Sequence, residues 1–193
     1  DYMVGVGAMR TYVSQGNAKQ VKYIFRPTIQ LGYRFNNYLS IRYKAYMGGY
    51  APSLAELSDV EQHIDIYQIR RGNPNLQAVR FFSNELSISV GTKYISAEWF
   101  TRYSYDDKPY MEETTYSNGF YVRSYANQRG FHRLNSQINL KVQPWKDYMS
   151  IQLTPFVNRY ISNGNTYTHT HTNWGLRANL MGMYKNWYVG ANL

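Results

Sequence analysis

The stretch Val21-Lys22-Tyr23-Ile24-Phe25-Arg26-Pro27-Thr28-Ile29-Gln30-Leu31-Gly32-Tyr33-Arg34-Phe35 decides the fold. Its odd-numbered positions are all apolar or aromatic. Its even-numbered positions are Lys, Arg, Thr, Gln or Gly, with Ile24 the one exception. Successive side chains of a strand point to opposite faces, so this stretch predicts one long strand with a greasy face and a basic face. Asn36-Asn37 then reads as a short turn, because Asn tolerates left-handed backbone.

The same alternation recurs outward from there. Leu39, Ile41, Tyr43, Ala45 and Met47 oppose Ser40, Arg42, Lys44 and Tyr46. Ile95, Ala97, Trp99, Thr101, Tyr103 and Tyr105 oppose Ser96, Glu98, Phe100, Arg102 and Ser104. Similar runs surround Ile88, Ile138, Leu153 and Leu176, a less regular one begins at Tyr2, and a last one begins at Tyr188. The pattern predicts about nine strands and no helix. Connections alternate in length. Those at 36–37, 92–93, 145–147 and 185–187 are short, and those at 48–80, 106–130 and 162–168 are long. In an up-and-down sheet the short turns share one rim and the long loops the other. The link at 15–20 falls on the long-loop rim.

A soluble β-sandwich also alternates, and three observations separate it from a membrane barrel. Globular strands are usually about 5–6 residues long, whereas a membrane-crossing strand needs about 9–11. The runs here are of the longer kind. The polar face carries Lys22, Arg26, Arg34, Arg42, Lys44, Arg102, Arg133, Lys141 and Arg177, too many charges for a sandwich core. Aromatic rings bracket the short turns: Tyr33, Phe35 and Tyr38; Tyr94; Trp145 and Tyr148; Tyr184, Trp187 and Tyr188. Amphipathic rings at one end of the strands form the interfacial girdle of an outer-membrane barrel. In lipid every backbone polar group needs an internal partner, so only a closed sheet spans. The expected fold is all-β: an antiparallel, up-and-down transmembrane β-barrel, present in part.

Composition agrees. The chain has 193 residues, of which 17% are aromatic and 21 are Tyr. Mean hydropathy is −0.56, and no apolar run is long enough for a transmembrane helix. Cysteine is absent, which removes disulfides, thiolate catalysis and cysteine-bound zinc together. The net charge of +9 suits nucleic acid, an acidic membrane surface or an anionic ligand. Nucleic acid is not expected, because bases and aromatics lie on opposite faces and no single surface offers both stacking and phosphate contacts. The first residues, Asp1-Tyr2-Met3-Val4, carry no signal-peptide pattern, so either a leader has been removed or the chain starts inside a larger protein.

Arg71-Gly72-Asn73-Pro74-Asn75-Leu76 sits in the longest loop, just before a strand that contains Asn84-Glu85-Leu86. This resembles the Gly-Asn-Pro-x-Leu segment of TonB-dependent outer-membrane receptors and the strand that follows it. Ala51-Pro52-Ser53-Leu54-Ala55-Glu56-Leu57 is similar to the family's Arg-Pro-Ser…Gln-Leu segment, with Ala51 where Arg is usual. Gln77-Ala78-Val79 departs from the usual Lys-Pro-Glu. The family barrel has 22 strands around a plug domain and imports scarce nutrients with energy from a TonB partner. About nine strands are too few for that barrel, and no plug domain is recognised. The resemblance therefore implies a fragment: residues 1–193 as one segment of barrel wall, truncated at the C-terminal end, where Leu193 follows in mid-strand, and at the N-terminal end. It also implies outer-membrane lipid, a TonB complex acting through the missing plug and an unidentified nutrient as partners, and self-association of an isolated fragment through its free edges.

Candidate solute-contacting residues are Arg70, Arg71, Tyr105, Tyr110, Tyr116 and His171, chosen because Tyr and Arg are rich contact residues and these positions fall in the long loops or upper lumen. His169 and His171 lie two apart and can share a face. They are weak metal candidates beside the reading of two polar residues at a wet rim. His63 and His132 stand alone. Asp106, Asp107, Glu112 and Glu113 lack Ca²⁺-loop spacing and read as a solvated loop. The basic row reads either as a wall attractive to anions or as partners for acidic groups of a plug or of neighbouring strands. Gly5-x-Gly7 lacks the rest of a dinucleotide motif, and no nucleophile elbow or Walker loop is present, so neither an enzyme nor a cofactor is expected. Two other readings stay open: a complete 8-stranded outer-membrane barrel with a structural or adhesive role, and a soluble ligand-binding barrel.

Overall fold

The alternating stretches pair side by side in the computed structural model, which describes residues 1–15, 18–145, 148–185 and 187–192. The main strands are β1 (Tyr2–Gln15), β2 (Ala18–Arg34) and β3 (Leu39–Tyr50). A one-turn helix α1 (Leu54–Leu57) and two short strands, β4 (Gln62–His63) and β5 (Gln68–Arg70), follow within the longest loop. Then come β6 (Val79–Gly91) and β7 (Ile95–Asp107), a hairpin of β8 (Tyr110–Ser117) and β9 (Phe120–Asn127), and β10 (Gly130–Val142). The chain continues through β11 (Met149–Asn163), β12 (Thr168–Tyr184) and β13 (Trp187–Asn192). One 9-stranded sheet runs β1-β2-β3-β6-β7-β10-β11-β12-β13, every neighbour antiparallel. Among the described residues β1 and β13 are paired on one side only. A second, 4-stranded sheet, β4-β5-β9-β8, is built wholly from the long loops. The tips of three expected connections, Gly16 and Asn17, Lys146 and Asp147, and Asn186, lie outside the described residues.

Register carries the two faces unbroken across the sheet. Tyr33, Ile41, Ile88, Trp99 and Ile138 are cross-strand partners in one row. Leu39, Val90, Ala97, Leu140, Leu153 and Ala178 form another. Between such rows, on the opposite face, Lys44, Glu85, Arg102, Asn135, Asn158 and Asn173 line up in the same way. A slip of one residue would exchange the faces, so the agreement over nine strands fixes the register.

The apolar face is bare. Trp174 is 81% exposed and Trp187 77%, and Val4, Val6, Phe25, Ile29, Leu31 and Leu176 are likewise uncovered. Several polar groups on this face are satisfied within it. Tyr43 donates to Asn84 Oδ1 at 2.6 Å, Trp99 Nε1 donates to Ser136 Oγ at 3.0 Å, and the Tyr103 hydroxyl meets His132 Nδ1 at 2.9 Å. A surface facing hydrocarbon needs that self-sufficiency, since lipid offers no hydrogen bonds. The eight residue steps from Ile95 to Tyr103 span about 27 Å along the strand. A tilt of about 40° leaves about 21 Å along the membrane normal, close to the band about 25 Å tall that a bilayer requires. Below it the rings of Tyr33, Phe35, Tyr38, Tyr94, Trp145, Tyr148, Tyr184 and Trp187 are exposed at the short-turn rim, as the girdle reading expects.

The polar face is concave. One cavity of about 600 Å³ is lined by Arg34, Ser40, Ser89, Glu98, Asn139 and Gln152, residues contributed by strands from β2 to β11, which only a curved sheet can bring around one space. The buried apolar core is small and lies on this side, under the long loop: Ile24, Leu57, Ile69, Leu76 and Val79. Ile24, the one residue that broke the polar alternation, is 3% exposed and sits against Gly49.

Two local expectations change. Neither Asn36 nor Asn37 adopts positive φ. Asn36 instead turns the chain with its side chain, accepting from the backbone N–H of Tyr38 and Leu39 at 2.8 Å each. A helix exists where none was expected: Ser53 and Glu56 form a reciprocal capping box that holds α1 for a single turn. No described helix is long and apolar enough to cross a membrane.

Candidate functional site

The two motif segments of the longest loop are built against each other. Gly72 N donates to Ser58 O at 2.6 Å and Asn73 N donates to Glu56 O at 2.7 Å. A Cβ at Gly72 would lie 2.5 Å from Glu56 O and 2.6 Å from Ser58 O, so only glycine permits this approach. Asn73 Oδ1 also caps the turn by accepting from Asn75 N at 2.9 Å. The turn reading of this motif therefore describes its local role, and its further role is to dock residues 71–76 onto α1.

From this anchor the loops knit into one layer at the long-loop end of the sheet. β5 runs parallel to β9 and adds the first long loop to the β8–β9 hairpin. Asn73 Nδ2 donates to Tyr125 O at 2.9 Å, and Gln77 N donates to Asn127 Oδ1 at 2.8 Å. Lys108 Nζ donates to Gln77 Oε1 at 3.0 Å. The third loop joins through Asn165, whose N donates to Gln128 Oε1 and whose Nδ2 donates to Asn127 O, both at 2.9 Å. The hairpin itself turns at Asn118-Gly119, both with positive φ, the pairing that a two-residue β-turn favours.

Four of the expected contact residues lie in this layer. Arg70 donates to the Tyr125 hydroxyl at 2.7 Å, and Arg71 pairs with Glu61 at 3.5 Å with both side chains about half exposed. Tyr110 packs its ring 5.8 Å from Tyr50. Burial, the nearby Glu56 carboxylate and a hydrogen bond to it raise the Tyr110 hydroxyl far above the usual tyrosine range. Tyr116 is exposed and lies 5.2 Å from the Tyr121 ring. With exposed Ile64, Ile66 and Tyr67 nearby, where Tyr67 O accepts from Tyr121 N at 2.7 Å, these rings give the layer an apolar and aromatic rim.

The structure does not bring the other two into the layer. Tyr105 shares the outward parity of Trp99 and Tyr103, stands opposite Phe82 and His132, and places its ring 4.7 Å from His132. Two-residue alternation puts Asp106, not Tyr105, on the polar side. His171 lies on the polar face of β12, its ring stacked 6.4 Å from Tyr160, which stacks in turn 6.3 Å from Phe131. His169 takes a different ring partner, Tyr167, at 4.6 Å. Among the described residues no group of three or more His, Cys, Asp or Glu is placed to hold a metal.

The acidic loop residues resolve into separate partnerships: Asp106 with Arg133 at 2.8 Å, Glu112 with Arg123, and Glu113 with Gln128 Nε2 at 2.6 Å. On the wall Glu85 takes Arg102 at 2.8 Å. Part of the basic row is thus neutralised by neighbouring strands. Sequence reading missed Glu56, Asn73, Tyr125, Asn127 and Gln128 as the residues that organise the layer. The capping box and the Asn118-Gly119 pair were the available signals.

The outer membrane protein beta-barrel family matches the chain over residues 10–192. Among solved structures the chain is similar to the siderophore receptor PirA of Pseudomonas aeruginosa, with a TM-score of 0.60 at 12% identity. The likeness covers 99% of this chain and 44% of that receptor, so the chain spans less than half of its length. None of the curated proteins matches the sequence.

Proposed function

The chain belongs to the outer membrane protein beta-barrel family, which sets it in the bacterial outer membrane, and we propose that it forms part of the wall of a TonB-dependent receptor that imports a nutrient. The observation that carries this reading is the loop layer: three long loops welded by hydrogen bonds over one end of a concave, polar wall. Such a layer is pre-organised to capture a solute, and the polar wall offers it a wet path through the membrane. On this reading Arg70, Arg71, Tyr110, Tyr116 and His171 contact the solute, and Tyr105 supports the rim from the lipid side. Residues 1–193 act as one segment of a larger cylinder, whose remaining strands pair with the outer edges of β1 and β13. The TonB complex engages a plug domain carried by the same receptor. An isolated segment would associate through those two edges, and light scattering that found only monomer at high concentration would contradict this.

An eight-stranded complete barrel is less well supported, since closing the sheet would require β1 to pair with β13. A soluble ligand-binding barrel needs the greasy face to line the cavity, and here the polar face lines it. The test is alanine substitution at Arg70, Arg71, Tyr110 and Tyr116 in the whole receptor, read as solute affinity on cells. Reduced affinity with normal surface abundance supports the proposal. Unchanged affinity at all four removes it.

A further inference from the structure

The cations of the polar wall divide into two groups. Most are engaged. Arg102 and Arg133 have carboxylates, Arg26 donates to Gly49 O at 3.2 Å, and Arg177 donates to Gln137 Oε1 at 3.1 Å. Lys44 lies 4.9 Å from the centre of the Tyr46 ring. Arg34 and Arg42, toward the short-turn end, are exposed, and their side chains make no hydrogen bond or ion pair with any described residue. We propose that these two arginines form a binding site for a small multivalent oxyanion inside the barrel.

The geometry follows from register. Arg34 faces Ser40, and Arg42 faces Gly32 on one side and Ser87 on the other. The two arginines are therefore diagonal neighbours on adjacent strands, with Cα atoms about 7–8 Å apart, close enough for both guanidinium forks to reach one point. Gly32 leaves the space beside Arg42 open, since a Cβ there would find nothing nearer than 3.7 Å. Lys141 lines the same cavity as Arg34. No described carboxylate forms an ion pair with either arginine. Glu98 holds the Ser87 hydroxyl at 2.6 Å, and Asp1 lines an adjoining cavity with both arginines but forms no ion pair with either. Like charges side by side on one face repel, and a shared oxyanion relieves that repulsion while filling both forks. A concave wall in a low-dielectric surround concentrates the field that draws it. This site stands apart from the loop layer and does not depend on which solute the loops select. It requires only that the polar face line the lumen.

Titration calorimetry on the purified whole protein in detergent micelles tests it, with inorganic pyrophosphate and citrate as separate probes. Saturable binding of at least one probe is expected. Arg34→Gln and Arg42→Gln each weaken it about tenfold, since each removes charge-assisted hydrogen bonds. Arg10→Gln, on the outward face, leaves it unchanged. Heat-dependent migration on gels checks that each variant is folded. Should the glutamine variants misfold, Arg34→Lys and Arg42→Lys keep the charge, lose the fork and weaken binding by a smaller factor. The proposal is overturned if neither probe binds, or if binding survives loss of both guanidiniums.

Discussion

Gly72→Ala is the sharpest perturbation of the loop layer. The added Cβ would lie 2.5 Å from Glu56 O, 2.6 Å from Glu56 C and 2.6 Å from Ser58 O. All three are backbone atoms, so no side-chain rotation relieves the contact. Residues 71–73 must withdraw from α1 by most of an ångström, which strains the bonds from Gly72 N to Ser58 O and from Asn73 N to Glu56 O. Overpacking of this kind costs about 1–3 kcal/mol. At about 1.4 kcal/mol per tenfold, the undocked loop becomes about 5- to 150-fold more populated. The nine-stranded sheet makes no use of this contact, so the barrel wall should be untouched. Amide hydrogen exchange on the folded protein reads both parts at once. The amides of Gly72 and Asn73 should exchange faster by that factor, and those of β6 and β7 should not. Equal exchange in variant and parent at Gly72 and Asn73 would refute the docking argument.

Ile88→Lys should lower folded stability in bilayers by about 2–4 kcal/mol, because it sets a charge on the lipid face near mid-membrane, while Ser87→Lys, one residue away on the wet face, should cost much less; denaturant titration in vesicles compares them. The Tyr110 latch should release in alkali. Its pKa is raised in the folded protein, so its contribution is complete below the unfolded value near pH 10 and is lost as pH climbs from there through the folded value. Tyr110→Phe should flatten that alkaline loss, measured by protease cleavage of the loop between β3 and β6. Gly119 has φ +86, so Gly119→Ala should strain the β8–β9 turn by about 1 kcal/mol and raise exchange in the hairpin without affecting β10.

The nine-stranded wall was legible because strand alternation is a strong, one-dimensional signal repeated along the chain. Ile24 shows its limit. The residue broke the pattern for a reason only the third dimension supplies, its burial beside Gly49 of the neighbouring strand. The loop layer was less legible because its contacts join residues far apart in sequence, such as Gln77 with Asn127. Its local signs were nonetheless present. Asn118-Gly119 between Tyr116-Ser117 and Phe120-Tyr121 is a hairpin signal, and Ser53-Leu54-Ala55-Glu56 is a capping box. Tyr105 is a different case. Its residue type suits solute contact, but its place in the alternation assigns it to the outward face.

The account depends on which face meets lipid. The sequence contains no cysteine, so a single introduced cysteine is a unique attachment point for a spin label. Labels at positions 85 to 90 in vesicles, scanned for contact with oxygen and with a water-soluble relaxation agent, read the answer directly. Labels at Leu86, Ile88 and Val90 should favour oxygen, and labels at Glu85, Ser87 and Ser89 should favour the aqueous agent. A scan without alternation, or one with the order reversed, would contradict the membrane wall described above.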